Sequence, residues 1–181
     1  MSTYSIIAQA LGIIAMALII LSFQAKKQKV LILTHFFGCA FFVANFIMLG
    51  AITGAFLNII GVVRAVIYSN KDKFKNMKVC NIIFCTLYIV AYALTFTIFG
   101  KEVNSYNLIV EILPVVGALS TTIAFSMPSA AAVRKAAWIN SPAWLIYNSL
   151  NFSIGGILCE VFSIISVIIG ILRHDVKKNS Q

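Results

Sequence analysis

Glu160 and Asn58 stand well inside apolar stretches, where a polar side chain is costly and normally faces a bundle interior or water. Glu160 lies about a turn and a half into the last apolar stretch, counting 3.6 residues per turn. An acid there serves as a substrate or proton site, or as glue between helices. Asn58 carries the same two readings. Four residues separate Gly54 from Asn58, and four separate Gly156 from Glu160, so the two polar groups are expected at similar depth. Trp144, Tyr147 and Asn148 fall within one helical turn, a cluster able to stack on the face of a polar solute, although aromatic residues are also ordinary packing. Arg64, six residues beyond Asn58, reads as snorkelling to headgroups. His35 reads as a neutral, hydrogen-bonded core residue. Glu111 reads as a wet acid near a helix N-terminus, and Trp138 as an interface anchor.

The elements that must position these groups are seven apolar stretches, roughly 5–23, 30–49, 52–69, 79–99, 106–126, 136–152 and 154–172. Most approach the ~20 residues a helix needs to cross about 30 Å of hydrocarbon. All of the 14 Lys and Arg except Lys101 lie in or beside the gaps after the first, third, fifth and seventh stretches. The positive-inside bias therefore predicts an N-terminus outside and a C-terminus in the cytoplasm. The first stretch lacks a basic leader and a small-residue cleavage site, so it reads as a true span. The sixth is the most polar, with Asn140, Ser141, Pro142, Tyr147, Asn148, Ser149 and Asn151, and is expected to face a polar cavity.

At 61% hydrophobic and 10% charged, the chain is far from the composition of a water-soluble domain. Its net charge of +9 is spread over short loops on one side, so it points to topology and anionic lipid and not to nucleic acid. Cys39, Cys80, Cys85 and Cys159 have neither CxxC nor His-paired spacing, so no metal or cofactor is expected. HExxH, GxSxG and Walker-type patterns are missing. With no nucleophile–base pair to assemble, the chain does not read as an enzyme.

Two copies of a three-helix unit are legible, about 5–70 and about 106–173, with the stretch at about 79–99 as a linking crossing within a single membrane domain, 1–181. One extra crossing makes the copies parallel. Gly12 corresponds to Gly117, Ser22-Phe23-Gln24 to Ser126-Met127-Pro128, and Ile52-Thr53-Gly54 with Asn58 to Ile154-Gly155-Gly156 with Glu160. The expectation is an all-α polytopic membrane protein of seven transmembrane helices in a 3+1+3 layout.

Val110-Glu111-Ile112-Leu113-Pro114-Val115-Val116-Gly117, Trp144-Leu145-Ile146-Tyr147-Asn148, and Ser153-Ile154-Gly155-Gly156 with Glu160 resemble the bacterial inner-membrane family called YgjV, over nearly the whole chain. More distantly the layout is similar to SWEET and PQ-loop transporters. Those carry a Pro-Gln pair near the end of the first helix of each repeat; here Gln24 stands without the proline and Pro128 without the glutamine. The resemblance implies an Asn beside the solute on the third helix of each repeat. Asn58 fits and Glu160 departs, which suits a cationic, amine-bearing or proton-coupled substrate better than a neutral sugar. The expected function is a facilitator of a small polar solute in the bacterial inner membrane. Its contacts would be Asn58, Glu160, Trp144, Tyr147 and Asn148, and its hinges Gly54, Gly155, Gly156, Pro114 and Pro128. The alternative is a non-transporting membrane protein: a partner subunit, a lipid binder or a sensor. The lipid bilayer is the one partner the composition requires, and the oligomeric state is left open.

Overall fold

The computed structural model describes residues 3–50, 52–74, 76–150 and 154–176. Lys75, Asn151, Ser153, Lys177 and Lys178, used in the sequence reading, lie outside the described residues. Among the described residues the chain forms seven long α-helices: α1 Thr3–Phe23, α2 Gln28–Met48, α3 Ile52–Ser69, α4 Met77–Thr97, α5 Ser105–Ser126, α6 Ala130–Leu150 and α7 Ile154–Ile171. A 3₁₀ turn, Lys71–Lys73, precedes α4, and a π-helical segment, Leu172–Val176, extends α7. Five helices are long and apolar enough to cross a membrane: α1, α2, α4, α5, and α7 with its extension. In α3 the apolar run, Thr53–Ser69, is shorter, and in α6 the amides and serines dilute the hydropathy.

Local chemistry sets the helix ends. The side chain of Asn76 caps α4 by accepting from the backbone N–H of Lys78 and Val79, and Asn104 caps α5 by accepting from Asn107 N–H at 2.8 Å. Gly50 and Gly100 follow α2 and α4 with φ of 71° and 69°, the left-handed backbone that ends helices most cheaply at glycine. The sixth helix starts at Ala130, earlier than the apolar stretch at 136–152. Ser129 Oγ accepts from Ala131 N–H at 3.1 Å, and the following alanines are strong helix formers. Arg134 and Lys135 are thereby helical residues and not loop charges.

Helices α1, α2, α3, α5, α6 and α7 pack in that cyclic order, each against the next and α7 against α1, while α4 packs against α3 and α5. One apolar core joins α2, α3, α4, α5 and the start of α6 around Tyr68, Tyr88 and Phe125. A second joins α1, α2, α3, α6 and α7 around Phe23, Phe46 and Val167. Close approach is visible where a Cβ at Gly38 of α2 would meet Ile19 of α1 at 2.6 Å. Large apolar side chains such as Ile13, Ile83, Ile109, Ile146 and Ile165 point outward and exposed, as a lipid-facing surface requires.

The end of the bundle that carries the basic gaps is tied by polar bonds between distant helices. Gln24 donates to Ser166 O at 2.8 Å and to Ser166 Oγ at 2.7 Å, and Ser166 Oγ donates to Ile20 O at 2.7 Å. Arg134 grips Asp175 through Nε at 2.9 Å and Nη2 at 2.5 Å, and its Nη1 donates to Ala25 O at 3.1 Å. Gln28 donates to the carbonyls of Phe125 and Met127 and accepts from Lys71 Nζ at 2.7 Å. Partial burial lowers the pKa of Lys71, with Asp72 opposing the shift. A Cβ at Gly170 would meet Phe23 O at 2.6 Å, so α7 reaches this network only because that position is bare.

Candidate functional site

Side chains from all seven helices converge on one internal cavity of about 60 Å³. That volume holds a few water-sized groups. Asn58 of α3, Glu160 of α7, and Trp144 and Asn148 of α6 line it together. Tyr147 is not in the wall; it is 4% exposed, and its ring meets Trp144 edge-on at 5.6 Å. Residues assigned no site role from sequence complete the lining, chiefly Arg64, His35, Tyr88, Thr121 and Asn140.

The wall is positioned by small residues and aromatic packing. A Cβ at Gly156 would stand 2.4 Å from Asn148 Cγ, so α7 seats the Asn148 amide against bare backbone. Gly117 plays the same part between α5 and α6, where a Cβ would meet Asn140 Oδ1 at 2.9 Å and Trp144 Cδ1 at 3.0 Å. Trp144 also stacks near-parallel to Phe46, 6.5 Å between centroids. A Cβ at Gly54 would lie 3.3 Å from the Phe46 ring, and one at Gly155 would lie 3.6 Å from Gln9 Oε1. Pro114 is buried within α5, whose helix runs unbroken through it, and Pro128 lies in the α5–α6 link.

Polar chemistry in the cavity is only half satisfied. Asn58 Nδ2 donates back to Gly54 O at 2.9 Å. Glu160 Oε2, Asn148 Oδ1, His35 Nδ1 and Arg64 Nε are buried with no hydrogen-bond partner, as is Ser141 Oγ, which stands close to Glu160 without completing a bond. Each such orphan costs about 1–3 kcal/mol unless something else satisfies it. Buried polar groups in folded proteins are nearly always paired, so a cluster of orphans around one cavity calls for an explanation.

Arg64 departs from the snorkelling expectation. It is 3% exposed and turned inward, with Nη1 donating to Ala118 O at 2.9 Å and Thr122 Oγ1 at 2.8 Å. Its guanidinium carbon lies 4.9 Å from the Phe125 centroid and 5.7 Å from that of Tyr88. Position five residues before the end of α3 suggested headgroups; the partners that hold it inward are on α5, and no local pattern announces them. Glu111 departs likewise. It is fully buried and ion-paired to Lys101, which folds over it from the α4–α5 connection.

A family model described as a bacterial inner membrane protein, Imp-YgjV, matches residues 6–178. The chain belongs to this family. No curated protein and no solved structure matches it. Membership places this Imp-YgjV chain in the bacterial inner membrane as a multi-pass protein, in keeping with its five long apolar helices. The bilayer then covers the exposed isoleucine-rich surface, and the amides of α6 are accounted for by where they point. Asn140 and Asn148 face the cavity, and Asn140 Oδ1 accepts from Thr121 Oγ1 at 3.2 Å. Among the described residues no group of His, Cys, Asp and Glu is arranged to hold a metal; Cys39 and Cys159 are buried in the cavity wall as free thiols.

Proposed function

We propose that this Imp-YgjV protein is a facilitator that passes a small polar solute through the central cavity. The observation that carries the reading is the gathering of Glu160, Asn148, His35 and Arg64, each with an unpartnered polar atom, around one cavity in an otherwise apolar bundle. A merely structural bundle has no reason to concentrate unsatisfied groups there, because each subtracts from stability. A solute that completes their bonds offsets the cost.

The two halves, α1–α3 and α5–α7, are read as parallel repeats with α4 as the linking crossing. In support, the α1–α7 contact has its counterpart in α5–α3, as a two-fold axis along the membrane normal would require. The side chains assigned to the solute are Asn58, Glu160, Trp144 and Asn148, with Arg64 and His35 added. Tyr147 acts through Trp144 by holding its ring. In this orientation the N-terminus is outside and the basic end is cytoplasmic, where the Gln24–Ser166 and Arg134–Asp175 contacts close the cavity from below. Rocking of one repeat against the other opens it, and those contacts must break when it does.

Uptake by proteoliposomes over a broad panel of small polar solutes tests the reading. Saturable uptake of at least one solute above protein-free vesicles is expected. A correctly folded protein that moves none of them overturns it.

A further inference from the structure

The orphaned atoms of the cavity divide by chemistry between its two sides. On α6 and α7 they include acceptors: Asn148 Oδ1 and Glu160 Oε2. On α3 the orphan is a donor, Arg64 Nε. Both hydrogens of Arg64 Nη1 are occupied by Ala118 O and Thr122 Oγ1, and Thr122 Oγ1 in turn donates to Ala118 O at 2.7 Å. The side-on edge formed by Nε and Nη2 therefore carries no hydrogen bond among the described residues. That edge is the planar fork that matches the two oxygens of a carboxylate. The ion pairs among the described residues are Lys101–Glu111 and Arg134–Asp175, so neither Arg64 nor Glu160 has an ion-pair partner among them. Glu160 is 9% exposed and Arg64 3% exposed, and buried charges are stable only when paired.

We propose that the cavity takes a small zwitterion, with its carboxylate on the free edge of Arg64 and its ammonium between Glu160 and Asn148. An ammonium has three donors and no acceptor, which suits two orphan acceptors on neighbouring helices. A carboxylate is all acceptor, which suits the guanidinium. A neutral polyol leaves the buried guanidinium of Arg64 without a counter-charge and is therefore a poor occupant. The wall of Trp144, Phe46 and Phe42 encloses the ligand's carbon atoms. The departure of Glu160 from the SWEET-like pattern suited a cationic, amine-bearing or proton-coupled substrate; the inward turn of Arg64 adds a cation on the other side and makes the proposed ligand dipolar.

This assignment rests on the cavity being a solute site, so binding and flux are measured separately. Full-length protein in detergent is titrated with glycine, alanine, lysine and γ-aminobutyrate, with their methyl esters, which lack the carboxylate, with their fully N-acetylated forms (both amines for lysine), which lack the ammonium, and with glucose. At least one free zwitterion should raise the unfolding midpoint. Its ester and N-acetyl form should bind roughly tenfold to a hundredfold more weakly, as expected for loss of a charge-assisted bidentate contact. In Arg64→Gln the penalty for esterification should vanish, and in Glu160→Gln the penalty for acetylation should vanish. If Arg64→Gln fails to fold, Arg64→Lys, which keeps the charge and loses the fork, should show a reduced penalty. Esters or glucose binding as well as the zwitterions, silence from the whole panel, or penalties unchanged in the variants would overturn the assignment. Zwitterion binding without flux supports it and sinks the facilitator reading; flux of glucose with no zwitterion binding does the reverse.

Discussion

The basic end of the bundle and its central cavity are built from the same residue types and treat them oppositely. At the basic end Gln24, Gln28, Arg134, Asp175 and Ser166 join distant helices through bonds of 2.5–3.2 Å, and Gln24 Oε1 is the orphan among them. In the cavity Glu160, Asn148, His35 and Arg64 reach one space and leave an atom each unpartnered. Paired polar groups in an apolar bundle fix helix positions. Unpaired ones cost stability unless a water or a solute completes their bonds. The difference separates the part of the molecule that holds its shape from the part assigned to a solute.

That contrast predicts unequal responses to mutation. Arg134→Ala should give the largest loss of stability, about 3–5 kcal/mol, because it leaves Asp175 without its cation and unties α6 from the α1–α2 connection and from the extension of α7. Chemical unfolding in detergent micelles measures it, and a loss below about 1 kcal/mol would erase the distinction. Next comes Gly156→Ala, which should cost about 1–3 kcal/mol because the new Cβ overlaps the Asn148 amide. Adding Asn148→Ala should recover most of that loss, so a double-mutant cycle reports the contact itself. Additive losses from the two changes would show that α7 does not seat Asn148. Gln24→Ala is expected to be milder, about 1 kcal/mol, through loss of the bonds to Ser166. Unfolding midpoints unaffected by this change would remove Gln24 from the closing contacts.

Much of this division was legible in the chain. Apolar run length gave the helices to within a few residues except at the start of α6, and the spacing from Gly54 to Asn58 and from Gly156 to Glu160 suggested a similar depth for the two polar groups, which the structure shows lining one cavity. The misses share a physical cause. Arg64, Glu111 and Arg134 lie near helix ends, where sequence cannot separate a snorkelling charge from one folded inward. Their fates depend on Ala118 and Thr122, on Lys101, and on Asp175, and of these only Lys101 is close in sequence. Tyr147 shows the opposite error, since a cluster within one turn spreads over more than one face of a helix, and only Trp144 and Asn148 reach the cavity. The start of α6 was hidden because Ala130–Val133 are helix formers by propensity and cap chemistry, not by hydropathy.

Glu160→Gln should disturb stability least of all, by about 0.5 kcal/mol or less, since an amide of the same shape replaces an acid whose Oε2 has no partner to lose. Measuring its unfolding free energy and its saturable uptake in proteoliposomes on the same preparation tests the central claim most directly. The account predicts a protein as stable as the wild type that has lost at least tenfold of its uptake. A variant that unfolds several kcal/mol more easily, or one that transports like the wild type, would contradict it and return Glu160 to the role of glue between helices.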